Sequence, residues 1–139
     1  MFASVADYQA FIEQFAAGQL PRAKWTHEAH LAVGLWHLAQ HAPDTALALV
    51  RERIKAHNVA VGTPNTDASG YHETITRFYL LAIEAHRQRQ PGRAPLEALE
   101  VLLASPLADS RWPLQHYSGE RLFSVAARRG WLEPDLKPL

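Results

Sequence analysis

Two segments of this chain set a histidine beside a glutamate at a point where a helix is expected to begin. Trp25-Thr26-His27-Glu28-Ala29-His30 opens one, and Gly70-Tyr71-His72-Glu73-Thr74 opens another. Neutral imidazole can ligate a metal or accept a proton. A neighbouring carboxylate can join as a ligand, orient the imidazole, or act as base on a bound water. His27 and His30 are three residues apart and share one helical face. His72 falls in a first turn, where the helix dipole disfavours imidazolium. Three nitrogen donors with one open position is the plan of a catalytic zinc site.

Three readings follow. In the first, His27, His30 and His72 are metal ligands and Glu73 and Glu28 are the catalytic carboxylates of a hydrolase or transferase acting on a small polar molecule. The chain has no cysteine, so one divalent transition metal (zinc, nickel, iron or manganese) would be held by His, Asp or Glu. No His-Glu-x-x-His signature is present. In the second, the site is metal-free, either a small-molecule-binding or an acid–base site, with Asn58, Asn65, Tyr71 and Tyr117 lining it. In the third, the chain is a non-catalytic interaction domain. The glutamates then complement helix dipoles, the histidines bond backbone groups, and a homodimer through an apolar helix face fits. His37, His41, His57 and His86 are expected on solvated helix exteriors or ends, and His116 is a second-rank candidate. Arg77, Arg121 and Arg128 suit either an anion clamp or ion pairs with Glu73, Glu120 and Glu84.

The elements that must position these residues are helical throughout. Tyr8, Phe11, Ile12 and Phe15 recur at helical spacing and predict a helix over 5–17, stopped by Gly18. Thr26 is a good N-cap for a helix over 27–41. Pro43 ends that segment and begins a helix over 43–60 with Leu47, Val50 and Ile54 on its buried face. The turn formers from Gly62 to Gly70 make the clearest loop. Helices over 71–88 and from Pro95 to about Ser105 follow, then a stretch broken by Pro113. Ser118 caps a last helix that Gly130 ends, and an irregular, Pro-rich tail packs back on the bundle. No β-period alternation appears. The expectation is a single all-α domain over 1–139, an up-down bundle of five to six helices. Its short 2–3 connection brings His27, His30, Asn58, the 62–70 loop, His72, His116 and Tyr117 to one end.

Composition narrows the partners. The chain has 139 residues, enough for one well-buried domain, with 47% apolar and 20% charged residues and zero formal net charge. A neutral chain lacks the basic footprint of a nucleic-acid or anionic-membrane binder. No apolar run reaches membrane-spanning length and no signal peptide is evident, so a soluble cytoplasmic protein with a small-molecule ligand is expected. Eleven arginines to three lysines suggests a GC-rich bacterial genome.

The run Thr63-Pro64-Asn65-Thr66 to Gly70-Tyr71-His72-Glu73-Thr74-Ile75-Thr76, with Trp25 to Leu31 upstream, resembles a family of small uncharacterised bacterial helical proteins. Ser105-Pro106-Leu107-Ala108-Asp109, Tyr117-Ser118 and Glu133-Pro134-Asp135-Leu136 are similar to it as well. Together these motifs cover most of the chain. The resemblance implies no activity. That family tends to carry Tyr where this chain has His116, which lowers His116 as a ligand. More loosely, histidines from two helices at one end of an up-down bundle are similar to the DinB/YfiT-like metal-binding bundles. That likeness is one of fold and transfers no function by itself.

Overall fold

The computed structural model describes all 139 residues. Seven α-helices and three 3-10 turns make up the chain, and there is no strand. The α-helices are α1 (Val5–Ala16), α2 (His27–Gln40), α3 (Pro43–Ala60), α4 (Glu73–Arg89), α5 (Pro95–Leu103), α6 (Gly119–Leu122) and α7 (Val125–Arg129). None is long and apolar enough to cross a membrane.

α2 is the central element. It packs against α3, α4 and α5, and Leu31, Ala32, Val33, Leu35 and Leu38 are all buried. A helix this apolar on most of its circumference belongs inside a bundle. Gly34 lets α4 come close, since a Cβ there would sit 2.9 Å from Ile83 Cδ1 and 3.2 Å from Leu80 Cδ2. Only His41 and Ala42 separate α2 from α3, which makes those helices antiparallel neighbours. Pro43 stands in the first turn of α3, where its missing N–H costs nothing.

The helices begin where their caps dictate. The Ser4 hydroxyl accepts from Asp7 N at α1, and the Thr26 hydroxyl accepts from Ala29 N at α2. At α4 the cap is His72, whose Nδ1 accepts from Ile75 N at 3.1 Å.

Two expectations are corrected. The last helix is not continuous. Ser124 interrupts it by donating its hydroxyl to Arg121 O and accepting from Ala127 N, so one side chain closes α6 and opens α7. And His37, His57 and His86 are buried, leaving only His41 of those four exposed. His37 Nδ1–H donates to Val33 O at 2.8 Å while its Nε2 accepts from Arg53. His57 Nε2–H donates to Leu20 O at 3.0 Å. Backbone carbonyls within reach give buried imidazoles a hydrogen-bond partner.

The tail does pack back. Tyr117, fully buried, donates its hydroxyl to Leu132 O at 2.6 Å. Asp135 accepts from Ser118 N and Oγ, and Leu136 N donates to His116 O. His116 in turn has its Nδ1 at 3.0 Å from Lys137 O.

Candidate functional site

Two adjoining pockets form a gorge between α2, α3 and α4, and His30 lies in the wall of both. The inner chamber, of about 270 Å3, is mainly apolar, with Leu31, Val50, Leu80 and Ile83 in its wall beside His27, Tyr79 and Ser110. The outer chamber, of about 370 Å3, is more polar and takes in Arg22, Trp25, Asn58, Thr63, Tyr71 and His72. His30, Ile54, Ile75 and Thr76 line both.

The ring of His30 is fixed twice. Its Nδ1–H donates to Thr26 O one turn back, at 2.7 Å. Its face lies against Trp25, with ring centroids 3.8 Å apart. The bond to a carbonyl sets the tautomer, so Nε2 carries the lone pair, and nothing in the protein hydrogen-bonds to it. His30 is exposed and opens onto both chambers, with the Trp25 ring against one face. Burial pushes its pKa down to about 4, against the upward pull of the Thr26 carbonyl, with His27 and His57 adding to the fall. Water in the gorge softens that push, but its direction keeps the imidazole neutral at pH 7. His27 is tied in the opposite sense: Nε2–H donates to Leu107 O at 2.9 Å, and its ring meets the Tyr79 ring edge-on.

His72 reaches the same region, as expected, but both its nitrogens are taken. Nδ1 caps α4, and Nε2–H donates to Leu122 O at 2.7 Å. Burial lowers its pKa. With no lone pair left, His72 has nothing to offer a metal in this arrangement. No three His, Asp or Glu side chains are grouped to hold a metal ion, so the expected donor set of His27, His30 and His72 is not assembled.

The expected catalytic carboxylates are placed elsewhere. Glu73 is clamped by Arg51 through two bonds, of 2.8 and 2.7 Å, and accepts from the Tyr71 hydroxyl at 2.7 Å. The Arg51 guanidinium, and then the Tyr71 hydroxyl, hold its carboxyl below the usual range against the effect of burial. A carboxylate so engaged is a poor base. Glu28 is exposed at the start of α2 and lines neither chamber.

The expected ligand-binding residues divide. Asn58 and Asn65 form a latch: Asn65 Oδ1 accepts from Asn58 Nδ2 and from Tyr71 N, and Asn65 Nδ2 donates to Lys55 O. This latch closes the 62–70 loop over α3. Gly70 is required there, with φ of 78° and space for a Cβ denied by Pro64 O at 2.5 Å and Asn65 Oδ1 at 2.6 Å. Tyr71 and Asn58 line the outer chamber, whereas Tyr117 lies in the core, away from it.

Sequence reasoning missed Trp25, Ile54, Ile75, Thr76 and Tyr79 as walls of the gorge. Thr76 follows His72 by one helical turn, and Tyr79 follows Thr76 by three residues, so they share a stripe of α4. That spacing is the signal that would have found them. No protein-family model matches this chain, and comparison with curated proteins and with solved structures finds no similar one.

Proposed function

We propose that the chain binds a small, largely apolar molecule in the gorge and that His30 Nε2 is its polar recognition point. The observation that carries this reading is an imidazole whose Nδ1 is tied to Thr26 O and whose Nε2 has no partner in the protein, set where an apolar chamber opens. Such a group takes a hydrogen bond from a hydroxyl or N–H of the ligand. Enclosure of the inner chamber by Leu31, Val50, Leu80 and Ile83 favours a ligand with an apolar body, and few polar groups then suffice to orient it. Histidines tied to backbone carbonyls give the recognition point fixed geometry before the ligand arrives.

The test is a ligand-observed NMR screen with small phenols and aromatic alcohols, followed by 15N spectra of histidine-labelled protein. Binders are expected to shift the Nε2 resonance of His30 and to lose affinity in His30→Ala. Binding that is equally tight in His30→Ala, or a panel with no binder, would overturn the reading.

A further inference from the structure

Beside the gorge, on the far side of Tyr71, lies a second and wider groove of about 520 Å3 with a different chemistry. Five cationic side chains, Arg51, Lys55, Arg77, Arg128 and Arg129, line it against only two carboxylates, Asp67 and Glu73. The whole chain has no net charge, so this is a local concentration of positive charge rather than a reflection of composition.

Internal pairing does not absorb it. Arg51 is committed to Glu73, and Arg129 to Asp67. Arg128 donates from one nitrogen to Gly70 O and Tyr71 O, which are carbonyls, and forms no direct ion pair. The Lys55 ammonium stands over the Tyr71 ring at 5.2 Å and the Arg77 guanidinium over the Trp131 ring at 4.7 Å. Neither Lys55 nor Arg77 has an acceptor within the protein. The rings hold both cations in place while leaving their N–H groups free. Three cations with no ion-pair partner of their own thus line one groove, brought from α3, α4 and α7.

We infer that this groove is a binding site for a phosphorylated small molecule, with Lys55 and Arg77 as its principal ligands and Arg128 beside them. A monoanion such as a carboxylate would compensate only one of the three cations. A phosphate monoester or diphosphate carries the higher charge and the several acceptor oxygens that they call for. The inference is independent of the ligand proposed for the gorge, since it rests on none of the same side chains except Tyr71.

The test is calorimetric titration at low ionic strength with inorganic phosphate, pyrophosphate, a sugar phosphate and acetate as monoanionic control. Pyrophosphate is expected to bind at one site, to weaken by about tenfold in Lys55→Gln and again in Arg77→Gln, and to weaken with added salt. Arg111→Gln, which removes an exposed charge outside the groove, is expected to leave binding unchanged. Tighter binding of the sugar phosphate than of inorganic phosphate would mark an organic phosphate as the ligand. Equal binding would mark the phosphoryl group itself. Lys55 is exposed, so Lys55→Gln tests the site without risk to the fold, and circular dichroism checks Arg77→Gln. The inference is overturned if no phosphate saturates the protein, if acetate binds as well as pyrophosphate, or if Arg111→Gln weakens binding as much as Lys55→Gln.

Discussion

The rings of Trp25 and His30 stand face to face at 3.8 Å with a tilt of 33°, and on the side of Trp25 lies His57, 5.2 Å away. The indole therefore touches two imidazoles and covers His30 on one face. An imidazole held neutral in this way has a folded pKa below its usual 6.5. Protons then bind the unfolded chain more readily between about pH 6.5 and about 4, and stability is lost as pH falls through that window. His30→Ala is expected to flatten the decline measured by urea unfolding at pH 7 and pH 5. An unchanged slope would show that His30 is protonated as easily in the folded protein as in the unfolded one.

His72 binds the start of α4 to the end of α6, and its removal is expected to lower stability. His72→Ala forfeits an N-cap and leaves Leu122 O without its donor, at a cost of about 2 kcal/mol. His72→Asn restores the cap but not the reach to Leu122, so about half the loss should return. Denaturant titration of both variants decides it. A His72→Ala protein of full stability would leave the cap and tether without weight.

Glu73 gives a second pH signature. Its carboxyl is held below the usual 4.5 by Arg51, so its contribution is complete above that value and disappears as pH falls through the lowered one. Glu73→Gln is expected to cost about 1 kcal/mol near neutrality, since Arg51 remains partly solvated and screening weakens the pair. The difference between variant and parent should vanish in strong acid. A difference that persists there would assign the loss to shape rather than charge.

The Asn65 latch predicts where the chain opens first. Asn65→Ala removes three hydrogen bonds that fasten the 62–70 loop to α3 and to Tyr71. Hydrogen exchange is expected to rise in that loop and at Tyr71 N while α2 and α5 are unaffected. Uniform acceleration over the chain would mean that the loop and the bundle open as one unit.

Gly34→Ala tests whether the inner chamber is a binding space. The new methyl meets the ends of Leu80 and Ile83, side chains of the chamber wall, which can give way only by turning inward or aside. Affinity for gorge ligands should fall several-fold while the melting temperature changes by a few degrees, the scale of a loss near 1 kcal/mol. Undiminished binding would place the ligand elsewhere.

The longer helices were legible in the sequence because their apolar period agrees with a proline or a cap near the boundary. Pro43 and Thr26 mark starts that the structure keeps. The convergence of His30, Asn58, Tyr71 and His72 on one chamber followed from the two-residue link between α2 and α3 alone. The roles within it did not, because they depend on carbonyls, which a sequence does not display. Whether His30 or His72 keeps a free nitrogen is decided by Thr26 O and Leu122 O, and the second of these lies 50 residues away. The burial of His37 and His57 escaped notice for the same reason. The split at Ser124 was hidden because serine caps and serine within a helix look alike until the backbone turns.

The tail beyond α7 has a practical bearing on any work with this protein. Thr74 in α4 donates its hydroxyl to Gly130 O and accepts from Leu132 N, and Arg121 donates to Glu133 O. The last ten residues are thus stitched to the first turn of α4 and to α6 by polar bonds, beside the packing of Trp131 on the core. A chain shortened after Gly130 would leave the buried Tyr117 hydroxyl and the Thr74 hydroxyl each short of a partner, next to the turn that carries His72 and Tyr71. Fusions and purification handles therefore belong at Met1, which is exposed, and a protein that loses its gorge when tagged at the other end would be reporting on this seam.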